Sequence, residues 1–119
     1  MGFVSEEDDE MSLPLAGLKV LDLTRALSGP FCTMILGDLG AEVVKVEPMP
    51  AGEMARQWGP FDDDISVYYL SANRSKQGIG VDFRKPEGIA LLRRMALASD
   101  IVVENFKTGT MGAMGLGYE

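Results

Sequence analysis

The stretch at residues 17–47 constrains the fold of this chain more than any other part of the sequence. Its letters are GLKVLDLTRALSGPFCTMILGDLGAEVVKVE. Residues 19–23 and 42–46 alternate apolar side chains or are rich in strand-forming types, and each predicts a β-strand. Between them, Pro30 suits the first position of a helix and Gly40 ends it. Strand, helix and strand at this spacing predict a right-handed βαβ unit with parallel strands.

The loop after the first strand is the first candidate for a binding site. In α/β proteins, ligands bind at loops that follow the carboxyl ends of strands. This loop, RALSG at residues 25–29, does not carry the dinucleotide fingerprint, because that motif needs three glycines directly after the strand and only Gly29 is present. The sequence therefore argues against NAD or FAD binding in the usual mode.

The rest of the chain continues the alternation of strands and helices. The predicted elements are a long irregular loop at residues 53–64, a short helix at 66–72, a third strand at 79–82, a second long helix opened by Pro86, and a fourth strand at 101–103. This alternation predicts the α/β class with a parallel sheet and flanking helices. Four short strands make a thin sheet, so we expect the sheet to continue with strands that this chain does not contain.

Acidic residues are concentrated near the amino terminus. The 119-residue chain has 18 acidic and 11 basic residues, a net charge of -7, and an unbroken acidic run occupies residues 6–10. We predict that residues 1–12 form a disordered acidic leader and that residues 13–119 form the folded part. The remaining charges nearly balance, so the basic footprint of a nucleic-acid-binding protein is missing and no nucleic acid partner is expected.

The counts of cysteine and histidine and the lengths of the apolar runs limit the kinds of site and the cellular compartment that we expect. The single cysteine, Cys32, cannot form an internal disulfide, and we expect a cytoplasmic protein. Within the predicted first helix, Cys32 is interpreted as a small core residue rather than a nucleophile. The sequence has no histidine, so histidine metal sites and histidine bases are excluded, and no metal is expected. No apolar run approaches the ~20 residues that cross a bilayer, so no membrane partner is expected.

Two carboxylates end predicted strands. Asp22 is either a catalytic carboxylate or a buried side chain that accepts N–H bonds from its own loop, and the second interpretation is favoured. Glu47 stands where nucleotide-binding folds place an acid that contacts ribose, although a role of this kind is the minor alternative.

Three polar segments are candidates for ligand contacts. Residues 73–76, NRSK, place two cations beside hydroxyl and amide donors and could clamp a phosphate. Arg84 and Lys85 precede a predicted helix N-terminus, which attracts anions. A solvated surface is the alternative for both. Asn105 and Phe106 offer a polar donor and an aromatic face suited to adenine or pantetheine, with Phe106 as a core residue the alternative.

Taken in order, these segments resemble the amino-terminal part of the family III CoA-transferases of the CaiB/BaiF type. The matching segments are PLAGLKVLDLT at residues 14–24, SGPFC at 28–32, LGAEVVKVE at 39–47, Tyr69, NRSK at 73–76, PEG at 86–88 and DIVVENF at 100–106. Each motif is weak alone, but the ordered series over residues 14–119 is specific.

The resemblance implies a Rossmann-like domain that is the amino-terminal part of a larger fold, in which two ring-shaped chains interlock as a homodimer. Members of the family move CoA from an acyl-CoA to a carboxylic acid through an acyl anhydride on an aspartate, which is nucleophilic catalysis by a carboxylate. The α-methylacyl-CoA racemases share this fold and work by proton transfer, so a racemase fragment is one alternative. A non-catalytic interaction remnant that pairs with a separate chain is another.

The resemblance also implies where coenzyme A would bind. Ala26 and Leu27 would lie by the reacting thioester, Val81 and Arg84 would flank the CoA nucleotide, Asn105 and Phe106 would contact pantetheine or adenine, and Lys76 is a further neighbour. Pro48 stands where some members carry an arginine that meets the adenine end, a contact that this chain does not supply. The family's nucleophilic aspartate aligns with no residue here, so we expect no catalytic residue in this chain and no activity from it alone.

Overall fold

The computed structural model describes residues 13–119. Its strands are β1 (Lys19–Asp22), β2 (Glu42–Pro48), β3 (Phe61–Asp62), β4 (Ile65–Ser66), β5 (Gln77–Val81) and β6 (Ile101–Val103). Its helices are α1 (Ser28–Asp38), α2 (Val67–Ser71), α3 (Pro86–Leu97) and α4 (Thr110–Ala113), with a short 3-10 helix at Met54–Gln57. The leader predicted at residues 1–12 lies outside the described residues. No helix in the described part is long and apolar enough to cross a bilayer.

Four parallel strands form the central sheet in the order β5-β2-β1-β6. This arrangement confirms the predicted α/β class with a parallel sheet and flanking helices. The chain steps outward from β1 to β2 and β5, and then returns to place β6 on the other side of β1. The strand order therefore reverses between β1 and β6. In open α/β sheets, such a reversal leaves a crevice at the carboxyl ends of the strands, where ligands bind.

The core lies on both faces of the sheet because neighbouring strand residues point to opposite sides. On one face, Leu21 and Val46 pack with Leu92 of helix α3, and all three are buried. On the other face, Val20 and Val43 form a second cluster. Each such side chain contributes about 1.5–3 kcal/mol when it is fully buried. The sheet is thereby fixed between helices, with its carboxyl edge left accessible.

Helix α1 starts at Ser28, two residues earlier than the position of Pro30 had predicted. Its buried face consists of Gly29, Pro30, Thr33 and Met34. Cys32 lies off this face and is exposed, so its interpretation as a core residue is wrong. Helix α3 begins at Pro86 and β6 spans the predicted residues, whereas β5, predicted at residues 79–82, begins two residues earlier and ends one residue earlier.

The segment predicted as an irregular loop at residues 53–64 has regular structure, and this prediction is wrong. Glu53 caps the 3-10 helix by accepting a hydrogen bond from the Ala55 N–H at 3.1 Å. Strands β3 and β4 then form an antiparallel hairpin. Its two turn residues, Asp63 and Asp64, are both left-handed, with φ of 45° and 64°, as a tight two-residue hairpin turn requires.

The edge of the sheet at β6 is open. Among the described residues, β6 pairs with β1 alone. An apolar groove of about 500 Å³ runs beside it, between α3, β6 and the segment after α4. Leu97 at the end of α3 borders this groove and is 81% exposed.

Candidate functional site

A cavity of about 380 Å³ lies at the carboxyl ends of the parallel strands. Segments that follow β1, β2, β5 and β6, together with α4, supply its walls. The lining residues are Leu23, Thr24, Arg25, Val46, Pro48, Gly52, Glu53, Met54, Phe83, Phe106, Thr110 and Met114. Its position at the reversal of strand order makes it the candidate ligand site.

Asn105 ties the loop after β1 to the segment after β6. Its side-chain oxygen accepts a hydrogen bond from the Arg25 N–H at 2.9 Å, and its side-chain nitrogen donates to the Arg25 carbonyl at 2.8 Å. The Arg25 guanidinium lies 5.4 Å from the ring centre of Phe106, within cation–π range. The two sides of the crevice are therefore fixed to each other at these three residues.

Ala26 adopts a left-handed backbone conformation, with φ of 70°. This conformation costs a residue with a Cβ about 1–2 kcal/mol. It is held by Glu53, whose Oε1 accepts a hydrogen bond from the Ala26 N–H at 2.8 Å. The next residue, Leu27, is exposed. Glu53 thus fixes the loop that the resemblance places by the reacting thioester.

Beneath this loop, two lysines and two acids form a buried network. Lys45 Nζ lies 3.3 Å from Glu53 Oε2, and Lys76 Nζ lies 2.9 Å from Asp22 Oδ2. All four side chains are at most 3% exposed. Asn73 joins the two pairs, because its Oδ1 accepts from Lys45 at 3.0 Å and from Lys76 at 2.9 Å. Burial lowers the pKa of Lys76, and the Asp22 carboxylate opposes that shift.

Asp22 is fully buried, and its carboxylate is used within the chain. It accepts hydrogen bonds from the Thr24 N–H at 2.8 Å and from the Thr33 hydroxyl at 2.6 Å, in addition to its ion pair with Lys76. The interpretation of Asp22 as a buried acceptor of loop N–H bonds is confirmed. A carboxylate in this setting has no free face to present to a substrate.

Glu47 is bound mainly by Arg56. Both of its oxygens accept from the Arg56 guanidinium at 2.7 Å, and Oε1 also accepts from the Glu53 N–H at 2.8 Å. Burial alone would raise the pKa of Glu47, but these bonds outweigh it and the pKa is lowered. Burial and the nearby Glu47 charge raise the pKa of Tyr69 to about 12. The Glu47 carboxylate therefore binds groups of its own chain, which does not favour the predicted contact with a ribose.

The phosphate clamp predicted at residues 73–76 is not assembled. The Arg74 guanidinium pairs with Asp38 at 2.6 Å on the surface, whereas Lys76 is buried against Asp22. The two cations therefore serve different carboxylates, and neither lines the cavity.

The other predicted contacts fall into two groups. Ala26, Leu27, Asn105 and Phe106 belong to the two segments that Asn105 joins at the crevice. Val81 lies in the core cluster, and Arg84 is an exposed side chain that binds Asp82 through two hydrogen bonds of 3.0 Å. Hydrogen bonds from Arg84 lower the pKa of Asp82 to about 2. Of the seven predicted contact residues, Phe106 alone lines the cavity.

Sequence reasoning missed two charged residues that shape the site, Lys45 and Glu53, and it placed Arg25 in the candidate loop at residues 25–29 without giving its side chain a role. Lys45 interrupts an otherwise apolar strand, EVVKV, and that interruption is a signal for a paired buried charge. Glu53 stands in a loop and carries no comparable local signal. Within residues 13–119, no group of three or more potential metal-binding side chains is present.

Known proteins match both the sequence and the fold. A family model described as CoA-transferase family III matches residues 15–119. Human succinyl-CoA:glutarate CoA-transferase is 54% identical over 107 residues, covering 89% of this chain and 24% of that protein. Succinate--glutarate CoA-transferase of Agrobacterium fabrum is 41% identical over 113 residues, covering 89% of this chain and 28% of that protein.

Among solved structures, a CAIB/BAIF family protein from Brucella suis superposes with a TM-score of 0.81 at 44% identity. The match covers 88% of this chain and 29% of that one. The chain therefore spans about a quarter of the length of the relatives that it matches.

Proposed function

This chain belongs to CoA-transferase family III, and from that membership we propose that residues 13–119 form the CoA-binding part of an enzyme that transfers CoA between dicarboxylic acids. The observation that carries the proposal is the cavity at the reversal point between β1 and β6. It is open at the carboxyl edge of the sheet, where this fold type binds nucleotide-containing ligands.

The arrangement around the cavity supports contact with an extended acyl-CoA. In this proposal, Ala26 and Leu27 lie by the thioester, and Asn105 and Phe106 contact the pantetheine or adenine portion. Asn105 holds the loop at Arg25 from both its N–H and its carbonyl, so the loop is ordered before ligand arrives. Preorganisation of this kind lowers the entropic cost of binding. We also propose that Val81 and Arg84 lie near the CoA nucleotide. Lys76 supports the loop from beneath through its ion pair with Asp22.

The proposed acids are dicarboxylic because the relatives above are named for succinyl-CoA, succinate and glutarate. Those names also support CoA transfer over the racemase alternative. We propose that transfer proceeds through an acyl anhydride on an aspartate outside this chain, and Asp22, the aspartate at the end of β1, is buried and fully paired. We therefore propose that this chain alone is inactive.

Calorimetric titration of CoA into the 119-residue chain tests the binding proposal. Saturable binding with one CoA per chain is the expected result, and heat no larger than that of buffer dilution would reject it. A parallel assay with succinyl-CoA and glutarate tests the second part, because any glutaryl-CoA formed above background would show that the nucleophile lies within this chain.

A non-catalytic role in pairing with another chain is a second candidate, favoured by the open edge at β6 and the groove beside Leu97. An unpaired sheet edge and an exposed apolar groove are typical of protein interfaces. The homodimer implied by the family is a separate proposal, which concerns the full-length family member. Sedimentation analysis decides it, since a strictly monomeric, folded chain at high concentration would count against pairing through this edge.

A further inference from the structure

Arg25 is a charged residue of the cavity that has no carboxylate partner among the residues that the structure describes. The guanidinium lies beside the Phe106 ring at the reversal point of the sheet. Within residues 13–119, no carboxylate forms an ion pair with it. Arg56, Arg74 and Arg84 each bind a carboxylate of their own chain, whereas Arg93 and Arg94, which also form no ion pair with the described residues, are exposed and lie outside the cavity.

The cavity's other charged lining residue does not balance Arg25. Glu53 is already neutralised by Lys45, and its second oxygen accepts from the Ala26 and Ala55 N–H groups. Among residues 13–119, the cavity lining therefore presents one positive charge without a carboxylate partner, that of Arg25. A half-buried guanidinium favours an anionic oxygen ligand, since it can donate two parallel hydrogen bonds to a carboxylate or a phosphate.

The backbone of Arg25 is fixed, which makes its side chain a directed donor. Asn105 binds both the N–H and the carbonyl of Arg25, and the Phe106 ring supports one face of the guanidinium. Planar donors held in this way lose little conformational freedom on binding. Arg25 also directly precedes Ala26, the residue placed by the reacting thioester under the proposed function.

We propose that Arg25 binds the free carboxylate of a dicarboxylic acyl group and so selects succinyl-type over monocarboxylic acyl-CoA. This inference rests on the proposed function, because it assumes that an acyl-CoA occupies the cavity. The same chemistry would also suit a CoA phosphate, which every CoA ester carries. Comparison of a charged with an uncharged acyl chain separates the two sources.

The experiment is calorimetric titration of the 119-residue chain with succinyl-CoA, butyryl-CoA and CoA. Butyryl-CoA has the same acyl chain length as succinyl-CoA but lacks the free carboxylate. The chains compared are the wild type, Arg25→Gln, Arg25→Lys and the control Arg94→Gln, which removes an exposed arginine outside the cavity. Circular dichroism melting of each variant checks that it is folded, and Arg25→Lys, which keeps the charge, serves as the second variant.

We expect Arg25→Gln to weaken succinyl-CoA binding about 10- to 100-fold, the range for a hydrogen bond to a charged group. Butyryl-CoA and CoA should change less than about threefold, and Arg25→Lys should lose less than Arg25→Gln. Equal losses for all three ligands would overturn the carboxylate assignment in favour of a phosphate contact. Equal wild-type affinity for succinyl-CoA and butyryl-CoA would overturn selection by Arg25. No binding of any ligand by the wild type would overturn the proposed function and this inference with it.

Discussion

Lys76 Nζ lies 2.9 Å from Asp22 Oδ2, and the two side chains are 3% and 0% exposed. This ion pair joins the residue before β5 to the end of β1, directly beneath the loop that carries Arg25. The Lys76 ammonium group also donates hydrogen bonds to the Pro30 carbonyl at 3.0 Å and to Asn73 Oδ1, so its remaining donors are satisfied. The pair therefore holds together the segments beneath the loop at Arg25 without lining the cavity itself.

Removing either partner leaves the other charge buried and unpaired, which costs about 3–5 kcal/mol. We expect Lys76→Met and Asp22→Asn each to lower the free energy of unfolding by that amount. The double variant should cost less than the sum of the two, because it leaves no unpaired charge. Urea unfolding measures all three.

The control for this cycle is Arg74→Gln, which breaks the exposed pair with Asp38. It should leave the urea midpoint unchanged. Strictly additive losses for Lys76→Met and Asp22→Asn would show that the two groups do not interact energetically, contrary to their geometry.

Two glycines in α1 give a matched test of packing against the site. A Cβ at Gly29 would overlap the Thr24 side chain and lie 3.0 Å from Asn105, whereas a Cβ at Gly37 would meet only Val43 at 3.5 Å. We expect Gly29→Ala to destabilise the fold by about 1–3 kcal/mol through overpacking. Gly37→Ala should stabilise it by up to about 0.5–1 kcal/mol, because Gly37 lies in the last turn of the helix and the added Cβ meets Val43 at an ordinary contact distance. Thermal unfolding of the two variants gives the comparison, and loss of stability in both would refute this account of Gly29.

Glu53 is predicted to position the loop after β1. In Glu53→Gln, the Lys45 charge is unpaired and the bond to the Ala26 N–H is weakened, so the Ala26 amide should exchange its hydrogen at least about tenfold faster, a change of about 1.4 kcal/mol in opening free energy. Glu42→Gln, at an exposed position on β2, is the control and should leave this rate unchanged. Hydrogen exchange followed by NMR reports the amide directly. An unaltered Ala26 rate in Glu53→Gln would assign the loop conformation to other contacts.

Tyr69 makes the fold sensitive to alkali. Its pKa is raised to about 12 from the ordinary value of 10.0, so between these two pH values the folded chain retains a proton that the unfolded chain has lost. This contribution to stability is complete below pH 10 and is lost as pH rises toward 12. Titration of tyrosinate absorbance should show a late step that Tyr69→Phe removes and that Tyr118→Phe, at an exposed position, retains. A titration without this late step would contradict the described burial of the phenol.

The long elements could be predicted from sequence because their periodicity is local. The apolar alternation in β1 and the apolar face of α3 after Pro86 each span enough residues to give a pattern. The short strand β6 was recognised as an apolar triplet between Asp100 and Glu104. The β3–β4 hairpin could not be predicted in this way. Its strands have two residues each, and its turn uses Asp63 and Asp64 instead of the glycine that usually signals it.

The candidate site was only partly predictable. Asp22 was interpreted correctly because its position at a strand end and its own loop N–H groups are close in sequence. Lys76 lies 54 residues from Asp22, and Glu53 contacts Ala26 across 27 residues, so neither partnership has a local signature. Cys32 was misassigned because one residue along α1 rotates a side chain by about 100°, which moved it from the buried face to solvent.

The central claim is that CoA binds at the crevice between β1 and β6. NMR titration of CoA into the isotopically labelled 119-residue chain tests it most directly. We expect saturable shifts concentrated in the amides of Arg25, Ala26, Asn105 and Phe106, with the exposed Leu97 end of α3 unaffected. Shifts confined to the α3 groove, or none at millimolar CoA, would contradict the claim.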